Sequence, residues 1–167
     1  MGPLPDPEPK SEVGERLKGR AAPQRDFLIF SLDRRLFALE LDRVVQIVGE
    51  AQVVVPPQRL PGVEGIFEFR GVYIPLLNLR LRLGLEGSGP GSAIVILEER
   101  GQPLGLWVDS VIRVGSFNPE AASAPPPRLQ GVRSEFLRGI FSFQGRPLLW
   151  MDDRSLFGPQ REGCPDG

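Results

Sequence analysis

Gly65-Ile-Phe-Glu-Phe-Arg-Gly71 occurs a second time in this chain, as Gly139-Ile-Phe-Ser-Phe-Gln-Gly145. The match runs without gaps from residues 65–84 to residues 139–158, setting Asn78 opposite Asp152, Arg80 opposite Arg154 and Gly84 opposite Gly158. Upstream of each copy, residues 38–47 align in the same gapless way with residues 105–114. Two matches in one order indicate an internal duplication. The chain must therefore fold as two like halves, and that condition limits its architecture more than any single motif.

Each copy reads as strand, tight turn, strand and short helix. Side chains alternate along a strand, so Phe67 and Phe69 share one face while Ile66, Glu68 and Arg70 share the other. Gly71 supplies the turn, residues 72–77 form a second apolar strand, and Asn78 stands as N-cap to a helix over residues 79–83. Pro75 cannot donate to a ladder, which places that strand on an edge or at a bulge.

The rest of the chain is read in the same terms. Residues 27–32 and 36–41 form a hairpin about Asp33-Arg34-Arg35, and its second strand continues to Val48 with Val44, Gln46 and Val48 on one face. Residues 53–55 form a short strand and Pro61-Gly62 a turn. A Gly/Ser/Pro loop at 86–91 leads to a second hairpin, residues 93–97 and 103–114. Residues 115–130, around Pro125-Pro126-Pro127, form a surface excursion. Strands at 136–143 and 146–151 then precede a short helix near 152–157.

Nine or ten short strands punctuated by Gly and Pro specify an all-β protein. Each half alone is too small to bury much surface, so two small barrels sharing a core are expected. Residues 1–24, rich in proline and charge, are expected to form a disordered tail, residues 25–158 the domain, and residues 159–167 a flexible tail.

Composition removes most catalytic chemistry. The 167 residues include no histidine, and the only lysines, Lys10 and Lys18, lie in the N-terminal tail. Histidine triads and His metal sites are thereby excluded, and the domain has no lysine for a nucleotide phosphate. Neither a P-loop nor a GxGxxG sequence occurs. No enzyme activity and no cofactor or metal are expected. The net charge of −1 argues against nucleic acid as the main partner. No apolar stretch approaches a membrane span, the N-terminal segment lacks a signal-peptide core, and the single cysteine, Cys164, has no internal partner. A cytoplasmic location without membrane insertion is expected.

Few polar residues stand out as sites. Asp42, Asp109, Asp152 and Asp153 form a conceivable carboxylate cluster, but Asp42 and Asp109 occupy matching places in the repeat and Asp152 matches the cap Asn78. Turns and caps account for them. Trp107 and Trp150, inside apolar strands, are expected in the core. Glu68 and Arg70 differ from the rest because the second copy has Ser142 and Gln144 in their places. The fold is thus built there without charge. Two readings stay open: an ion pair in solvent, or an arginine presented to a partner.

The ordered series Phe27-Leu-Ile-Phe30, Leu36-Phe-Ala-Leu-Glu-Leu-Asp42-x-Val44, Pro61, Gly65-Ile-Phe-Glu-Phe-Arg-Gly71, Ile74-Pro-Leu-Leu-Asn-Leu79, Val108-Asp-Ser-Val111 and Gly139-Ile…Leu148-Leu-Trp-Met-Asp152 resembles CheW, the coupling-protein family of bacterial chemotaxis. The resemblance spans residues 26–158. It implies two interlocked, five-stranded SH3-like barrels around a joint core, in a scaffold that joins chemoreceptor cytoplasmic tips to the regulatory domain of a CheA-like histidine kinase. Arg70 matches the arginine of the family's Asn-Leu-Arg-Gly motif, associated with receptor coupling. Val44 matches the valine of its Val-x-Glu-Ile strand, and Gly65 the glycine that opens the motif strand. Gln46 stands where the family usually has Glu, and Glu68 where it usually has Asn. A non-catalytic adaptor is the function implied; a binding module on this fold that serves another signalling or motility pathway is the alternative.

Overall fold

A computed structural model describes residues 23–49, 51–58, 62–85, 91–127 and 132–157. The expectations for tails at 1–22 and 159–167, for Pro61, for most of the 86–91 loop and for residues 128–130 lie outside these ranges. Ten strands and two short helices follow one another: β1 Arg25–Leu32, β2 Arg35–Glu40, β3 Val44–Val48, β4 Val63–Phe69, β5 Val72–Leu77, α1 Leu79–Leu83, β6 Ala93–Glu99, β7 Gln102–Val108, β8 Ser110–Phe117, β9 Leu137–Phe143, β10 Arg146–Met151 and α2 Asp153–Phe157.

The strands form two five-stranded sheets, ordered β8-β1-β2-β10-β9 and β3-β6-β7-β5-β4. Substituting each strand by its repeat partner turns one order into the other. The register agrees as well: Trp150 pairs with Ala38 where β10 meets β2, and Leu76 pairs with Gly105 where β5 meets β7. Each half contributes two strands to one sheet and three to the other, so the barrels interlock and neither half can close without its partner.

The exchange happens at two crossovers. The second strand of the first hairpin does not run on to Val48. A 3-10 turn at Leu41–Arg43 ends β2, and β3 then pairs with β6 in the other sheet. Likewise residues 103–114 are not one strand, because the chain leaves one sheet at Asp109 and β8 joins β1 in the other. Apolar alternation was the only local signal, and it does not say which sheet a strand joins.

Ion pairs of opposite polarity fasten the two crossovers. Arg80 on α1 donates to Asp109 at 2.5 Å, and Asp109 also accepts from the Asp33 backbone N–H at 2.7 Å. At the other crossover the arginine sits on the turn: Arg43 Nε donates to Asp153 of α2 at 2.6 Å, while its Nη2 pairs with Glu99. The hydrogen bond to Asp153 holds the Arg43 guanidinium above its ordinary pKa, against the opposing effect of burial. Asp153 is the buried charged residue among those described.

Three apolar clusters fill the molecule. The largest draws Leu28, Phe30 and Phe37 from one sheet and Leu77, Val95 and Leu106 from the other, which is the shared core. Phe27, Ile29, Ala38, Phe141, Leu148 and Trp150 fill the first barrel. Phe67, Ile74, Leu76, Ile94 and Ile96 fill the second. Trp150 is buried, whereas Trp107 is half-buried at the border of the second cluster.

Pro75 lies on an inner strand rather than an edge. Ile66, its antiparallel partner, sends both backbone bonds the other way, to Val54 at 2.8 Å. Pro75 nitrogen therefore points toward β7, where pairing begins only at Leu76. The ladder there is shorter than its counterpart, in which Leu149, at the place of Pro75, pairs with Phe37. The expected strand at 53–55 is reduced to that single Val54–Ile66 bridge, and residues 115–127 are more ordered than a plain excursion. There β8 extends to Phe117, a 3-10 turn follows at Pro119–Ala121, and Ser123 bridges Ile140.

Candidate functional site

The β4–β5 hairpin carries the motif that set this chain apart from its own repeat. Gly65 anchors its base. A Cβ on Gly65 would lie 2.5 Å from Val53 Cγ1 and 2.9 Å from the Val54 carbonyl oxygen, because residues 53–54 cross directly over it. Gly139 meets the same condition against Ala122 and Ser123 in the other copy. Gly65 thus lets a second segment seat against the strand, and it is buried rather than displayed.

Arg70 is not on the strand face with Glu68. It is the first residue of a two-residue turn, with φ 53°, followed by Gly71 at φ 79°. Positive φ at both central positions is what a tight hairpin turn of the I′ type requires. Arg100-Gly101 and Gln144-Gly145 repeat the arrangement. The turn aims the Arg70 backbone outward at the barrel's end. Its guanidinium lies 4.8 Å from the centroid of the Phe69 ring, a cation–π contact that orients it. Glu68 is exposed on β4 opposite Tyr73 of β5, and among the described residues neither Glu68 nor Arg70 forms an ion pair. The solvent ion pair left open by the sequence is therefore not formed.

Beside the arginine stand two residues that the sequence reading missed. Val72 is 50% exposed and Tyr73 is 72% exposed, on opposite faces of β5, Val72 across from Phe69 and Tyr73 across from Glu68. The repeat offered a signal, since Arg146 and Pro147 occupy the matching positions.

Val44 and Gln46 lie elsewhere on the same barrel. β3 and β4 are the first and last strands of the sheet order and share no ladder, so the two pairs of residues are not cross-strand neighbours. Val44 is half-buried against the shared core, and Gln46, also half-buried, donates from Nε2 to the Ile47 carbonyl at 3.3 Å. The outward face of β3 is instead Val45 and Ile47.

The four aspartates of the conceivable cluster are dispersed. Asp109 binds Arg80 of α1, and Asp153 binds Arg43 of the 3-10 turn. Asp152 caps α2, accepting from the Arg154 backbone N–H at 3.2 Å and from Ser155 Oγ at 3.1 Å, and Asp42 is exposed. Asn78 caps α1 through the Leu81 N–H at 3.0 Å. Among the described residues no group of three or more His, Cys, Asp or Glu is placed to hold a metal ion, and no helix is long and apolar enough to cross a membrane. The hairpin exposes an oriented guanidinium, an aromatic ring and a valine.

Comparison with known proteins agrees with this architecture. A family model described as a CheW-like domain matches residues 26–160. Chemotaxis protein CheW of Treponema pallidum is 29% identical over 140 residues, covering 80% of this chain and 82% of that protein. Chemotaxis protein CheW of Klebsiella aerogenes is 28% identical over 153 residues, covering 90% and 92%. The crystal structure of scaffolding protein TtCheW from Thermoanaerobacter tengcongensis superposes with a TM-score of 0.73 at 28% identity, over 81% of this chain and 94% of that one.

Proposed function

The chain belongs to the CheW-like domain family, and from that membership we propose that it is a non-catalytic scaffold coupling chemoreceptor cytoplasmic tips to the regulatory domain of a CheA-type histidine kinase. The observation that carries the reading is the asymmetry between two hairpins of one design. The β4–β5 tip presents Arg70, Val72 and Tyr73, whereas the β9–β10 tip presents Gln144, Arg146 and Pro147. Arginine and tyrosine are the residues over-represented where protein interfaces concentrate their affinity. A cation held against Phe69 has already lost much of its rotamer freedom, so a partner gains more from binding it.

In this reading Arg70 and Tyr73 make the principal contacts and Glu68 lies beside them. Gly65 and Val44 hold the hairpin and β3 in place, and Gln46 sits behind the apolar face formed by Val45 and Ile47. The absence of histidine from the chain and of lysine from the domain supports a role without turnover. Reconstitution tests the proposal. Receptor cytoplasmic fragments, a CheA-type kinase and this chain, all from one genome, are mixed and sedimented. The chain is expected to carry kinase into the receptor pellet. Kinase that pellets equally without it, or a chain that stays in the supernatant, overturns the proposal.

A further inference from the structure

A second surface lies on the first barrel, away from the arginine hairpin. A cleft of ≈ 320 Å³ opens between the β1–β2 turn and the β9–β10 hairpin. Leu36, Leu149 and Ile140 give it an apolar floor, and Arg34, Arg35 and Arg146 stand around it. Among the described residues no carboxylate lines it. Asp33, next in sequence, pairs with Arg35 at 2.9 Å, and Arg146 Nη2 donates to the Arg34 backbone carbonyl oxygen at 2.9 Å, tying the two turns together across the rim. Among the described residues Arg34 and Arg146 have no carboxylate partner, so both charges stay available to an anionic ligand.

The turn gives an independent sign. Asp33 and Arg34 have φ 56° and 67°, so Arg34 occupies the left-handed position that Gly71, Gly101 and Gly145 fill in the other three hairpins. A side chain there is strained where glycine is not, and strain of this kind collects at functional sites. The second barrel supplies the control. At the places of Arg34, Arg35 and Arg146 it carries Gly101, Gln102 and Val72, so the fold does not need the cations.

We propose that this cleft receives an acidic peptide segment of a partner protein, seating an apolar side chain on Leu36 and Leu149 and its carboxylates on Arg34 and Arg146. A bare inorganic anion would leave the apolar floor unused. Arginine forks bind carboxylates in charge-assisted pairs, and an apolar floor with a few placed polar groups is the ordinary form of a binding pocket.

The test is fluorescence anisotropy on the full chain. The probe is a short fluorescein-labelled peptide of alternating glutamate and leucine, with a lysine–leucine counterpart as control. The acidic peptide is expected to bind, and Arg34→Gly to weaken it by about tenfold or more, the size expected for loss of one charge-assisted contact. The melting temperature of Arg34→Gly should hold or rise, since glycine relieves the turn. Arg35→Gln and Arg146→Val, which copy the second barrel, should weaken binding as well. No binding to the unsubstituted chain, equal binding of the lysine peptide, or undiminished binding to Arg34→Gly each overturns the proposal. So does displacement of the peptide by inorganic phosphate at equal concentration, or binding of phosphatidylglycerol vesicles in preference to the peptide.

Discussion

Trp150 lies over Ala38 in the first barrel, and Leu76 lies over Gly105 at the same place in the second. The large side chain of each pair meets a small one on the facing strand, but the two barrels set the scale differently. In the first, Phe27 meets Phe117, Phe141 and Trp150 edge-on while Phe141 stacks on Phe117 and Trp150, with ring centroids between 4.9 and 5.9 Å apart. In the second, Ile94 replaces Phe27 and Leu76 replaces Trp150, and the Phe67 ring packs so near the strand that a Cβ on Gly105 would lie 2.8 Å from it. Interiors are packed too densely for such exchanges one at a time. The comparison teaches that one strand order can be filled at two scales: both members of the second pair are smaller than those of the first, and the Phe67 ring takes up the space against Gly105. Each barrel then displays its own surface, an arginine turn on one and a basic cleft on the other.

The largest expected effect separates the two crossovers. Removing Arg43 strands Asp153, whose side chain is 4% exposed, whereas removing Arg80 leaves Asp109 at 33% exposed. An unpaired buried carboxylate is costly and an exposed one is not. Arg43→Ala is expected to lower stability by about 3 kcal/mol, and Arg80→Ala by about 1 kcal/mol or less. Urea unfolding of both variants measures this. Equal costs would mean that the inverted pairs are interchangeable.

Exchanging core residues between barrels sharpens the same comparison. Trp150→Leu copies Leu76 and is expected to cost about 2 kcal/mol, because the aromatic stack loses a wall and collapses only in part. The loss is moderated by the indole Nε1, which has no hydrogen-bond partner among the described residues. Gly105→Ala copies Ala38 and should cost about 1 kcal/mol by overpacking against Phe67 and Leu76. Thermal melts of the two single variants decide the matter. A neutral Gly105→Ala would show that the second barrel holds slack that its close contacts deny.

Much of this is legible in the sequence, and what escapes it does so for physical reasons. The repeat, the caps Asn78 and Asp152 and the joint core all follow from local chemistry or from the size of each half. The sheet exchange at Arg43 and Asp109 did not, because the period-two pattern of an apolar strand is the same whichever sheet it joins. The Arg43–Asp153 pair spans 110 residues of sequence and leaves no local trace. Arg70 was placed on a strand because Gly71 announced only the second half of the turn. A two-residue turn needs positive φ at the preceding residue too, whatever that residue is. The exposure of Val72 and Tyr73 is hidden in an apolar run that reads as core throughout.

The smallest expected change in stability carries the sharpest consequence for function. Gln144 holds φ 52° at the position matching Arg70, so glutamine is a proven occupant of this turn. Arg70→Gln should therefore shift stability by no more than about 0.5 kcal/mol, the range of ordinary surface substitutions. Among the described residues its contact of note is with the Phe69 ring, which stays half-buried by packing on the second cluster. Affinity for the receptor tip, by contrast, should fall about tenfold or more, as when an interface anchor is removed. The reverse change, Gln144→Arg, should leave that affinity alone. A guanidinium there would stand beside Arg146 and Pro147 instead of Val72 and Tyr73. Titration of both variants against the receptor fragment, with melting curves alongside, reads the two quantities together. An Arg70→Gln variant that binds normally and melts early would make the arginine a part of the turn, and the difference between the hairpins would lose its functional meaning.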